Sequence, residues 1–206
     1  NDTFVFAAVK GSSIVGGFGV DSITASGFVQ GSTIKGGDPV DGASALDGAD
    51  LISADSSVSA SAIYGNSGAD TIWVAGNATA STLSGGFGND SLTVGGNFSS
   101  GQIVGGSGAD SVLITGTLQG SGSVILDAAS STEEANDSLN VGAISSGIIQ
   151  GGQGNDSFTV TAAANKATIE GGEGADSLSI AGTVSAAQVI GGSGADTFLL
   201  GNSFNS

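Results

Sequence analysis

The chain has 206 residues with 39% apolar content, enough to bury a core, but 38 glycines against one tryptophan and one tyrosine exclude a bulky aromatic interior. Nineteen carboxylates face three lysines (Lys10, Lys35, Lys166) and no arginine, and the formal charge of -16 makes nucleic acid and anionic membrane poor partners. With no cysteine and no histidine there is neither a disulfide framework nor a thiolate or imidazole metal site, and no apolar run approaches the length of a membrane span.

Taken in order, the chain opens on Asn1-Asp2-Thr3-Phe4, which reads as the tail of a repeat begun earlier. Hexads of the form G-[GN]-x-G-x-D then recur: GGFGVD ends at Asp21, GNSGAD at Asp70, GGFGND at Asp90, GGSGAD at Asp110, GGQGND at Asp156, GGEGAD at Asp176 and GGSGAD at Asp196. Three more are degraded: GGDPVD ending at Asp41, ALDGAD at Asp50 and TEEAND at Asp137. The aspartates fall about twenty residues apart except across two register breaks, 41–50 and 127–136, which are expected to leave the coil as surface loops. A glycine-rich linker would hold no such register.

Between hexads the apolar residues alternate. Two and four positions after each aspartate stand pairs such as Ile72 and Val74, Leu92 and Val94, or Leu178 and Ile180, the mark of a strand with one buried face. A second apolar column (Ile14, Ile34, Ile63, Leu83, Ile103, Ile149, Ile169, Val189) precedes each hexad, and a third (Val9, Val29, Val58, Ala78, Phe98, Ile144, Ala164, Val184) lies between. We read two short strands per repeat. Since one such pair cannot bury its apolar face alone, the repeats must stack, and the predicted fold is all-β: a parallel β-solenoid (β-roll or β-helix) forming one domain over 1–206, with coils of about 20 residues. About nine coils at roughly 4.8 Å each give a rod near 45 Å long.

Stacking sets the aspartates about 5 Å apart, where like charges repel by about 0.8 kcal/mol per pair in water and by more at a partly screened surface. A hard dication between coils reverses that sign. Glycines let carbonyl oxygens turn toward one point, and carbonyls with carboxylates are the all-oxygen ligand set of calcium, whereas magnesium demands a tighter octahedron.

The hexads with their following strands, GGSGADSVLI, GGQGNDSFTV and GGEGADSLSI, resemble the G-G-x-G-x-D-x-U-x calcium repeats of the repeats-in-toxin family, parallel β-rolls of secreted bacterial proteins. The resemblance implies calcium ligands from the carboxylates of Asp21, Asp70, Asp90, Asp110, Asp156, Asp176 and Asp196. It also implies backbone carbonyl ligands from Gly65, Gly85, Gly86, Gly88, Gly105, Gly106, Gly108, Gly151, Gly152, Gly154, Gly171, Gly172, Gly174, Gly191, Gly192 and Gly194. Asp2, Asp41, Asp50 and Asp137, in partial or degraded hexads, are expected to be weaker ligands. Family rolls usually repeat the hexad every nine residues; one per twenty puts the calcium-binding turn on a single edge, as in one-sided coils of large bacterial adhesins and some surface-layer proteins.

The expected function is therefore a calcium-dependent structural segment of an extracellular bacterial cell-surface protein (surface-layer, filament subunit or adhesin stalk), self-associating end to end or in a lattice, with cell-surface polysaccharide a further partner. The alternative is the calcium-binding region of a type I-secreted enzyme or toxin. Ice binding ranks lower because the outward hexad positions, such as Phe18, Ser67, Phe87, Gln153 and Glu173, form no regular row. Catalysis in this segment is not expected: carboxylates outside the aspartate column (Asp38, Asp47, Asp55, Asp127, Glu133, Glu134, Glu170, Glu173) read as solvated loop charge. Trp73, Thr93 and Leu113 should face outward as a small patch, and Asn77 and Asn97 match a glycosylation sequon that is better explained by chance.

Overall fold

The computed structural model describes residues 1–37, 47–127, 135–201 and the backbone of 204–205. The expected Asp41 and most of both register breaks lie outside these residues. Within them the chain is a parallel β-solenoid with no helix. Most coils carry three strands rather than two, as in Thr71–Val74, Ala78–Thr79 and Thr82–Phe87, so the third apolar column has a strand of its own in them. That strand is only two residues long, too short for alternation to reveal it.

Every strand pairs in parallel with its counterpart one coil on, like residue over like: Ile72 over Leu92, Ala78 over Phe98, Leu83 over Ile103. Strands leading into the hexads form one nine-stranded sheet, and the other two kinds form an eighteen-stranded sheet, joined where Ser111–Gln119 and Ser138–Ser145 run through the corner without a break. The three apolar columns meet inside as one continuous core, which also takes in Leu118, Val124 and Leu126 of the coil between Asp110 and Asp137. Outward positions behave as strand parity requires: Trp73 is exposed, with Thr93 and Leu113 beside it on successive coils.

A narrow coil must turn three times, and at each corner N–H groups leave the sheet. Side chains of the adjacent coil take them up. The hydroxyls of Ser32, Ser61 and Ser81 accept the N–H groups of Ser12, Ser32 and Ser61. At a second corner Asn77 Oδ1 accepts Asn97 N–H and Asn97 Oδ1 accepts Thr117 N–H, so the sequon asparagines are corner caps. The third corner belongs to the aspartates.

Candidate metal centre

The aspartate corner is a ladder. The N–H of Asp21 donates to Asp50 Oδ1, Asp50 to Asp70, Asp70 to Asp90, Asp90 to Asp110, Asp110 to Asp137, Asp137 to Asp156, Asp156 to Asp176 and Asp176 to Asp196, all between 2.7 and 3.1 Å. Asp2 N–H joins it through Asp21. Asp50 and Asp137, expected to be weaker because of their degraded hexads, are full members, as buried as the rest.

Only half of each carboxylate is used. While Oδ1 accepts the neighbouring N–H, Oδ2 of Asp21, Asp50, Asp70, Asp90, Asp110, Asp137, Asp156 and Asp176 is buried with no hydrogen-bond partner. An orphaned acceptor normally costs about 1–3 kcal/mol, more if charged, so eight in a column require an explanation. Burial, opposed by the ladder hydrogen bond and reinforced by neighbouring carboxylates, pushes Asp90 up to about 8 and Asp70, Asp110 and Asp156 to about 7. Asp50 and Asp137 rise to about 6. Without a counter-charge the column either holds protons or repels itself.

The hexad glycines have two separate duties. First-position glycines make room for the carboxylate: a Cβ on Gly65, Gly85, Gly105, Gly151, Gly171 or Gly191 would overlap Oδ2 of its own hexad's aspartate. The carbonyl of Gly65 also accepts Gly37 N–H at 3.0 Å, so part of its capacity is spent in the sheet. From Gly68 onward the second- and fourth-position glycines have positive φ, between 110° and 132°, and all but Gly152 lie under carbonyl oxygens of the preceding coil. The oxygen of Gly86 abuts Gly106, that of Gly172 abuts Gly192, and those of Gly68, Gly88, Gly154 and Gly174 abut Gly88, Gly108, Gly174 and Gly194. Gly152 likewise reaches Gly172. Among the described residues no three acidic side chains converge on one point, so a cation here would take most of its ligands from carbonyls. Orphaned carboxylate oxygens, glycine-bared carbonyls and an all-oxygen donor set fit a hard dication of high coordination number.

Two sequence readings change. GGDPVD and ALDGAD are one hexad split by an insertion: Gly36 and Gly37 pair with the strand Ala62–Ser67 while Gly48 stands against Gly68 and Asp50 closes the ladder. The third position is thus Asp47; Asp38 lies outside the described residues. Likewise TEEAND is not a contiguous hexad, because Asp127 pairs with Gly106 in the second position and Ala135 meets Gly154 in the fourth. Asp127, read as solvated loop charge, is buried, accepts Gln153 N–H at 2.6 Å through Oδ2, and is shifted upward by burial. Its signal was the strand Val124-Ile125-Leu126, aligned with Ile103-Val104-Gly105 rather than with the acidic run downstream.

Fold and ladder define a parallel β-solenoid with a single glycine-aspartate edge. Residues 64–99, which hold two of its hexads, match the family model described as RTX calcium-binding nonapeptide repeat (4 copies). No curated protein matches the chain. The fold is similar to that of a solved structure described as a hyperactive, Ca2+-dependent, beta-helical antifreeze protein from an Antarctic bacterium, at a TM-score of 0.72 and 23% identity over 96% of this chain and 55% of that one. The chain spans about half the length of that structure. No helix among the described residues is long and apolar enough to cross a membrane.

Proposed function

We propose that the aspartate edge holds a row of calcium ions between successive coils, and that the chain is a calcium-dependent structural rod of a secreted bacterial protein at the cell surface. The carrying observation is the column of buried Oδ2 atoms without partners, repeated at every coil from Asp21 to Asp176. Asp21, Asp50, Asp70, Asp90, Asp110, Asp137, Asp156, Asp176 and Asp196 would supply carboxylate oxygen, and the second- and fourth-position residues carbonyl oxygen. Bound calcium supplies the counter-charge; the chain supplies the spacing. At low calcium the carboxylates would oppose stacking, and outside the cell ion binding would drive folding. RTX repeats are typical of secreted proteins, which supports export. A stalk or lattice subunit that associates with its own kind, acting without catalysis of its own, fits a segment built of repeats alone. Sedimentation in millimolar calcium and in chelator tests this assembly: association that appears only with calcium supports it, and a calcium-folded monomer at all concentrations removes it.

A second reading, ice binding, has one specific observation in its favour besides the similar structure. The residue after each ladder aspartate forms a nearly unbroken outward hydroxyl row: Thr3, Ser22, Thr71, Ser91, Ser111, Ser138, Ser157, Ser177 and Thr197, broken at Leu51. The row beside it is interrupted by Val5, Trp73, Leu113 and Leu199, and ice requires a flat repeating face. Thermal hysteresis of the calcium-loaded chain decides: a freezing gap establishes this reading, and its absence leaves the structural rod.

A further inference from the structure

Resting on the calcium reading above, we propose that Asp127 is itself a cation ligand, so that the coil closing at Asp137 offers calcium a second carboxylate where the uninterrupted coils offer one. At four other hexads, the group crowding the second-position glycine is a backbone carbonyl of the coil before: Asn66 on Gly86, Gly86 on Gly106, Gly152 on Gly172, Gly172 on Gly192. At Gly152 it is the Asp127 side chain, and at Gly37, in the other interrupted hexad, the Asp47 carboxylate. The carboxylate has taken the place that a carbonyl oxygen fills elsewhere, substituting a full charge for a dipole at the same point of the turn.

Asp127 is 6% exposed, and its Oδ1 is buried with no hydrogen-bond partner, although Oδ2 is held by Gln153 N–H. A carboxylate fixed through one oxygen with the other orphaned repeats the arrangement of each ladder aspartate. Its charge reaches three of them, Asp110, Asp137 and Asp156, whose ionisation it opposes. Three ladder carboxylates plus a fourth beside them give this stretch one more negative charge than an uninterrupted coil of the edge carries. Calcium affinity rises with the charge of the ligand set. This coil should therefore hold its ion more tightly than the uninterrupted coils do.

The competing explanation is purely mechanical: Asp127 would only pin Gln153. Asp127→Asn separates the two, since the amide keeps an acceptor for Gln153 N–H but removes the charge. In calorimetric calcium titrations of the whole chain, the variant should lose one tight site or weaken it at least tenfold while the remaining sites keep their affinities. An unchanged isotherm overturns the proposal. Should the variant fail to fold, the wild-type chain crystallised with terbium in place of calcium gives the answer. An anomalous peak within about 2.3–2.6 Å of the Asp127 carboxylate is expected. Peaks along the ladder with none at Asp127 overturn this inference alone, whereas a chain that takes up no ion overturns the calcium reading with it.

Discussion

The backbone N–H of Asp70 donates to Oδ1 of Asp90, one coil further along the stack, at 2.7 Å. Each aspartate is thereby both donor and acceptor, and the ladder runs in one direction from Asp2 to Asp196. The bond fixes one carboxylate oxygen and leaves the second facing the first-position glycine of its own hexad, where a Cβ would overlap it; in the coil closing at Asp137 that position is taken by Leu126.

Asp90→Asn, in the middle of the ladder, should have opposite effects in two conditions. The amide keeps the acceptor for Asp70 N–H and removes a buried charge, so at pH 8 in chelator the variant should be more stable than the parent by on the order of 1 kcal/mol. In millimolar calcium it should be less stable, having lost an ion ligand. Thermal scans in both buffers check this, and a loss of stability in chelator would show that the charge is not the liability.

The pH dependence follows from the same burial. The folded-state values of Asp70, Asp90, Asp110 and Asp156 lie near 7 to 8, above the ordinary carboxylate value of 3.8, so the calcium-free folded chain holds more protons than the unfolded one across that interval. Its stability should be greatest at or below about pH 4 and fall continuously up to about pH 8. With calcium present the dependence should invert, because ions compete with protons for the same oxygens. Urea unfolding at pH 5 and pH 8, with and without calcium, measures all four corners.

Glycine is required for different reasons at different corners, and two substitutions separate them. Gly106→Ala adds a Cβ at φ +132° that would overlap the Gly86 carbonyl, and should destabilise the chain by at least about 2 kcal/mol. Ala80 sits at φ +49° in the corner where Gly31 has φ +58° and open space around it. Ala80→Gly should therefore be neutral or stabilising by up to about 1 kcal/mol. Chemical denaturation in calcium compares them directly.

Most of the coil could be read from the sequence because a solenoid repeats its constraints. Ile72, Leu92 and Val112 report the same buried position three times over, and aspartates twenty residues apart can share an edge only if each coil is one repeat long. Interrupted repeats were harder. Gly36-Gly37 and Asp47-Gly48-Ala49-Asp50 form one turn around an insertion, and local spacing cannot distinguish one divided hexad from two poor ones. Asp127 was missed for a related reason: its role is set by pairing with Gly106 one coil back, whereas the eye follows the acidic residues nearer to Asp137. The side-chain ladders at the other two corners, carried by Ser32, Ser61 and Ser81 and by Asn77 and Asn97, depend on which N–H groups each turn leaves over, a matter of geometry rather than composition.

The central claim is that calcium neutralises the aspartate column and so permits stacking. Far-ultraviolet circular dichroism of the chain at pH 8, titrated with calcium from a chelated start, tests it most directly. The account expects a weakened β spectrum in chelator, short of complete unfolding, a cooperative rise of β signal as calcium is added, and little recovery with magnesium at the same concentration. A full β spectrum in excess chelator at pH 8, unchanged by calcium, would contradict it.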